Sequence, residues 1–262
     1  MLNFFLNKKK FRLKPIRRNL IDEIWKRKFK KNKSKIYSLP DSSGIENYRL
    51  KINKVVSNLR KKGANYQFIT SSENNAWLFN IRGFDSKFTP IPNCHSLIDK
   101  NGNIIFFCNL NKIDSSLRKK FKKIKFLQDK DSSKILSKIK NKKFLVDQNT
   151  CSIFFENIIL KNNKILNFND FIYSLKAIKN HKEIKNIKLA HLDDGSALTK
   201  YLIWLKKNFH KRKITEISAS KKLYDFRKKN KSFKFSSFPT ISGTGPNGAI
   251  IHYKATKKTN RV

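Results

Sequence analysis

Between Ser237 and Tyr253 the chain reads SFPTISGTGPNGAIIHY, seventeen residues without a Lys, Arg, Asp or Glu. The surrounding protein has 262 residues, 60 Lys+Arg against 18 Asp+Glu, and a formal net charge of +42. An uncharged run in so charged a chain marks a place where a solvated cation would be costly, that is, a core or the wall of a site. Gly243, Gly245 and Gly248, with Pro246 and Asn247 between them, predict a turn. The residues AIIHY that follow predict a strand buried on both faces, which would carry His252 inside the protein. A histidine in such a strand is ordinarily a hydrogen-bonded core residue. The glycines do not form a phosphate loop: GxxxxGK[ST] is absent, and the GxGxxG spacing precedes a strand instead of following one and opening a helix.

The positive charge suggests polyanion binding through counterion release. The cations are mainly lysines, however, scattered over the first 235 positions, whereas bidentate phosphate and base recognition favours arginine. The excess reads as solvated surface, and nucleic acid is not the expected partner. Cys94, Cys108 and Cys151 form no CxxC pair and lie in apolar contexts, as reduced buried thiols do. The first residues reverse the charge order of a secretory signal, and no apolar run approaches 18 residues, so a cytoplasmic protein without a membrane partner is expected.

Residues 1–44 read as a basic connector whose one anchor is NLIDEIW, Asn19 to Trp25. From Ile45, the positions Tyr48, Ile52, Val55, Val56 and Leu59 recur at helical spacing and Gly63 stands where the helix would be capped. YQFITS predicts a strand, and the apolar runs flanking Lys100-Asn101-Gly102-Asn103 predict a hairpin. Leu117, Phe121, Ile124 and Leu127 predict one helix whose lysines face water, and KKFLVD another strand. A long amphipathic helix is expected up to Asn208, and a second from Glu216 to Lys229 with Thr215 as its cap.

The uncharged run, together with ITEISASKKLYDFR, KAIKNHKEIKNIKLAHLDDGSAL and AWLFNIRGFD, closely resembles the aminopeptidase P (Xaa-Pro aminopeptidase) family of M24 metallopeptidases in its long three-domain form. NLIDEIW resembles that family's connector between its first and second domains. The resemblance implies an α/β protein: a basic connector over 1–44, a creatinase-like domain over 45–175, and the first part of a pita-bread catalytic domain over 176–262. It implies two divalent metal ions, usually manganese, and proline-containing peptides as substrates. It makes His252 a catalytic residue that contacts substrate and helps proton transfer, a role suited to an imidazole with an unperturbed pKa of about 6.5. The family's five metal ligands follow the IIHY segment, whereas this sequence ends at KTNRV. The chain is therefore expected to be an interior piece that binds no metal and is inactive alone, leaving room for a homo-oligomer or a complementing chain. His191, Asp193 and Asp194 in HLDDG do not share a helix face, so they are not expected to replace the ligands. The alternative of a different class is a non-catalytic basic module using residues 1–62 and 111–143 to hold nucleic acid or an acidic partner.

Overall fold

The computed structural model describes residues 18–25, 34–40 and 43–262. They belong to two compact units, 1–32 and 33–262. In the first, Asn19 Oδ1 accepts from the Ile21 N–H (3.1 Å) and caps the single-turn helix α1 (Leu20–Ile24). The basic run 26–33 of the expected connector lies outside the described residues.

The second unit is built on strands β1 (Tyr37–Ser38), β2 (Tyr66–Ile69), β3 (Ile81–Arg82), β4 (Cys94–Asp99), β5 (Ile104–Cys108), β6 (Ile124–Gln128), β7 (Lys143–Val146) and β8 (Lys164–Asn167). β1 pairs with β3, and the other six form one sheet in the order β6-β5-β4-β2-β7-β8. β4 runs antiparallel to both neighbours, and the remaining pairings are parallel. Because successive side chains point to opposite faces, each strand serves two cores. Ile104, Phe106 and Cys108 enter one core, while Phe107 enters the other with Phe144 and Val146.

Helices close both faces. α2 (Tyr48–Lys61), the residues ending α3 (Ser72–Leu78), the end of α4 (Ser115–Lys120) and Ile172 at the start of α7 (Ile172–Ala177) fill the first core with Val55, Leu59, Phe79 and Phe121. Leu136 of α5 (Ser132–Lys138) and Ile159 of α6 (Ile153–Leu160) fill the second. The helix expected from Ile52, Val55, Val56 and Leu59 is α2, capped by Asn47 and ended by Gly63 at φ +61. The hairpin is also present. Gly102 alone takes a left-handed φ (+88), and the Asp99 carboxylate accepts from the Asn101 and Asn103 N–H groups.

The helix expected through Leu127 is shorter than its periodicity suggests. α4 stops at Lys120 and Ile124–Gln128 is strand β6, paired parallel to β5 with Ile104 opposite Ile124. Ile124 and Phe126 reach the same core with exposed Lys125 between them, so an available strand edge overrides the helical spacing.

Two buried polar groups fix the helices around this core. Lys51 of α2 is fully buried and donates to Trp77 O (2.8 Å) and Asn80 Oδ1 (2.6 Å), its ammonium 4.0 Å from the Trp77 ring centroid. Burial pushes it down to about 8, against the Glu183 and Glu46 carboxylates that pull it up. Asp170 accepts from Gln67 Nε2 (3.0 Å), Asn74 Nδ2 (2.7 Å) and the Ile172 N–H (3.1 Å), which ties the start of α7 to β2 and α3. Burial pushes its carboxyl up.

Beyond α7 the chain forms α8 (His181–Asn208) and α9 (Glu216–Lys228). Asn180 and Glu183 make a capping box, and Asn180 Nδ2 and Asn186 Nδ2 reach the carbonyls of Gly44 (3.0 Å) and Ser43 (3.1 Å). Those bonds place the start of α8 beside the entry to α2. The two long helices are joined by the bidentate pair of Arg227 with Asp194 (2.6 and 3.1 Å) and by Lys222 near the Trp204 ring, which Arg212 of the connecting segment also approaches. Only Ala197 of α8 is buried, while Leu192, Leu202 and Ile203 are more than half exposed.

The buried strand expected at AIIHY is not formed. Gly245–Ala249 is a 3₁₀ turn, Ile250 and Ile251 are 53% and 85% exposed, and His252 sits exposed at φ +54. Residues 181–262 contain no strand, so a strand at AIIHY would have no ladder partner for its N–H and C=O groups. The segment instead folds into turns, the Ile250 N–H reaching Asn247 O (3.2 Å) and the Tyr253 N–H reaching Ile250 O (3.2 Å).

Candidate functional site

The uncharged run is organised around one carboxylate outside it. Glu216 opens α9, directly after the N-cap Thr215, whose Oγ1 accepts from the Ser218 N–H (3.3 Å) while Ser218 Oγ accepts from the Thr215 N–H (2.8 Å). Glu216 is only 2% exposed. It accepts from the Thr244 N–H (2.7 Å), Asn247 Nδ2 (3.0 Å), Tyr253 Oη (2.7 Å) and the Arg261 N–H (3.2 Å). Its own N–H donates to Arg261 O (2.9 Å). Burial pushes this carboxyl up, but Tyr253, Asn247 and the two backbone donors outweigh burial and hold it down at about 2. An ionised acid is thus the hub that fastens Thr244 to Arg261 onto the first turn of α9, where the helix dipole also favours a negative charge.

Asn247 and Tyr253 lock the loop against itself. Asn247 Nδ2 reaches Thr259 O (3.0 Å), and Tyr253 Oη lies 3.1 Å from both Thr259 O and Thr259 Oγ1. Gly243 passes so near the turn that a Cβ there would stand 2.9 Å from Asn247 O. His252, immediately before the anchored Tyr253, is held facing outward on this fastened turn. Its backbone is fixed while its imidazole stays accessible.

The other histidines and acids do not join it. His191, Asp193 and Asp194 lie on α8, with Asp194 committed to Arg227. His95 Nδ1 is 3.2 Å from Thr70 O, and its Nε2 is 3.8 Å from Asp129. All three cysteines are free and buried; burial raises Cys94 well above the ordinary thiol value and pushes Cys108 and Cys151 up to about 12. Among the described residues no three His, Cys, Asp or Glu side chains come together to hold a metal. The described residues therefore do not fit a two-metal centre. No helix among the described residues is long and apolar enough to cross a membrane.

The hub itself was not anticipated from the sequence. Its signal was present: Glu216 is the single acid between Asp194 and Asp225 and follows a good N-cap, while Asn247 and Tyr253 are polar groups in a charge-free run.

The chain matches the model of the creatinase/prolidase N-terminal domain over residues 27–183 and that of metallopeptidase family M24 over 185–261. It is 33% identical over 260 residues to the Xaa-Pro aminopeptidase ApepP of Drosophila melanogaster, covering 95% of this chain and 42% of that protein. It is 30% identical over 267 residues to a probable Xaa-Pro aminopeptidase P of Coprinopsis cinerea, covering 94% of this chain and 42% of the relative. The fold is that of the X-prolyl aminopeptidase of Caenorhabditis elegans, described as a cytosolic enzyme with a di-nuclear active site: the TM-score is 0.87 at 23% identity, over 98% of this chain and 43% of the other. The chain thus spans about two-fifths of the length of these relatives. With its sheet domain matched by the first model and its α8–α9 segment with the Glu216 hub by the second, the chain belongs to the creatinase/prolidase N-terminal domain family, followed by a segment similar to the start of the M24 metallopeptidase domain.

Proposed function

We propose that this chain serves metal-dependent removal of an N-terminal residue preceding proline, supplying the creatinase-like domain and a substrate-facing histidine but not the metals. The observation that carries the reading is the ordered match of residues 27–183 and 185–261 to the two domain models, with His252 exposed on a turn fastened by Glu216. In this reading the domain change lies near residue 176, after a connector over 1–44 and a domain over 45–175. The start of α8 at His181 supports it. His252 contacts a proline-containing peptide and relays a proton, the two metals of the complete site are manganese, and the protein works in the cytosol.

The test has two arms. The purified chain is incubated with an X-Pro tripeptide with and without Mn²⁺, and release of the first residue is followed by mass spectrometry. No release is expected, because the described residues lack a ligand set; manganese-dependent turnover by a clean preparation overturns that part. Histidine side-chain NMR during titration with the same peptide is expected to move the His252 resonance, assigned by its loss in His252→Ala. A peptide that leaves His252 unmoved removes it from the substrate path.

A further inference from the structure

The HLDDG segment makes no metal site, but it forms one wall of a groove of about 530 Å³ between α8 and the chain that follows α9. Ala190, His191 and Asp193 stand on that wall beside the Asp194–Arg227 pair. Residues 232–238 form the other. Phe233 and Phe235 are held there by edge contacts with Tyr224 of α9 (5.6 Å between ring centroids) and with Phe84 after β3 (4.9 Å). Phe238, at the same wall, is 67% exposed. A groove of this volume falls in the usual range for small ligands, about 300–1,000 Å³.

Its main chain and its charges both select the ligand. From Lys234 to Gly243 no backbone N–H or C=O bonds to another group among the described residues, although Phe235 and Ser236 are half-buried. Such a stretch can pair with the main chain of an added peptide. Asp194 is committed to Arg227, whereas Asp193 on one wall and Lys234 on the other have no partner among the described residues. Opposite free charges on opposite walls, with phenyl rings between them, suit a ligand that is charged at both ends and apolar in the middle. We infer that this groove binds a short apolar peptide as its zwitterion. The peptide main chain bonds to residues 234–236, its apolar side chain lies on Phe233, Phe235 and Phe238, its ammonium meets Asp193 and its carboxylate meets Lys234. The site uses neither Glu216 nor His252 and is independent of the aminopeptidase reading.

A zwitterion has no net charge, so the +42 of the chain gives it little general attraction and binding reports the groove itself. The tripeptide Ala-Phe-Ala, its N-acetyl and C-amide forms, and Ala-Gly-Ala are titrated into the full chain at constant pH and followed by histidine side-chain NMR. The His191 resonance, assigned by its loss in His191→Gln, is expected to move with Ala-Phe-Ala. Acetylation removes the ammonium and is expected to weaken binding to the wild type about 3- to 5-fold, but to change binding to Asp193→Asn by less than about 1.5-fold. Amidation is expected to behave in the same way with Lys234→Gln. Ala-Gly-Ala should bind at least about 10-fold more weakly, since it lacks the phenyl group. Both substituted side chains are exposed and unpaired, so the melting curves should not change. An unmoved His191 overturns the inference, as do acetylation and amidation losses that are the same in the wild type and the variants. Because Ala-Phe-Ala carries no proline and is read at His191, this result and the X-Pro titration of His252 can each fail alone.

Discussion

Lys51 offers the most quantitative test of how this domain is held together. Its ammonium is buried against the Trp77 ring, bonded to Trp77 O and Asn80 Oδ1, and pushed down from 10.5 to about 8. The unfolded chain therefore binds this proton more tightly than the folded one, so the burial penalty is fully present below about pH 8 and is relieved as pH rises toward 10.5. At 1.36 kcal/mol per pH unit the gap corresponds to ~2–3 kcal/mol, the lower figure allowing for solvent screening. Replacement by the nearly isosteric Met removes the titration but keeps most of the packing. It strands Asn80 Oδ1, while Trp77 O still receives the Asn80 N–H at 3.3 Å.

The assay is urea unfolding followed by tryptophan fluorescence, for wild type and Lys51→Met, at half-unit steps from pH 7 to 10.5. Other lysines contribute equally to both proteins, so the difference between the two curves isolates Lys51. The wild type is expected to gain ~2–3 kcal/mol relative to the variant across this range, with the midpoint of the gain between pH 8 and 10. Parallel curves would mean that Lys51 is hydrated or keeps an ordinary affinity for its proton, and would refute the account of α2 given above.

The remaining predictions concern the hub, the thiols and the hairpin. Glu216→Gln keeps the shape of the side chain but loses its charge and part of its acceptor capacity. Amide exchange at Thr244 and Arg261 should quicken by about 10-fold or more, with α8 amides unchanged. In the wild type the same two amides should stay protected as pH falls through the ordinary carboxylate range and lose protection only near pH 2, since Glu216 is held at about 2; loss near pH 4.5 would contradict the bonding described. Cys94, Cys108 and Cys151 should be silent to a disulfide reagent at pH 8 in the folded protein and react fully in urea. Gly102→Ala forces a Cβ into φ +88 but meets only Val56 Cγ2 at 3.9 Å, so thermal unfolding should report a loss of about 1 kcal/mol from backbone strain alone.

Local signals carried much of the sheet domain into the sequence. The stripe from Ile52 to Leu59 with Gly63 behind it, the Asn101-Gly102 turn, and Thr215 before α9 all specify their conformation within a few residues. The misreadings arise where a distant partner decides. Ile124 and Phe126 fit a helix face by spacing and a strand by alternation, and β5, whose Ile104 and Phe106 pair with them, decides in favour of the strand. Lys51 reads as one more solvated lysine until Trp77 and Asn80 are brought over it by α3.

The uncharged run shows the same division within the candidate site. Its lack of charge reads as a core, yet most of the run is exposed: the burial belongs to Asn247 and Tyr253 and not to the isoleucines or His252. Hydrophobicity alone made AIIHY a core strand; a strand also needs a neighbour for its backbone, and residues 181–262 provide none. With the ladder absent, the strongest acceptor in reach is Glu216, and five residues of the C-terminal segment, Thr244, Asn247, Tyr253, Asn260 and Arg261, bond to it or to the first turn of α9 beside it. That inversion is why the exposed isoleucines and the accessible imidazole coexist with a tightly held backbone. The part of the segment available for chemistry is the part that its apolar character would have hidden.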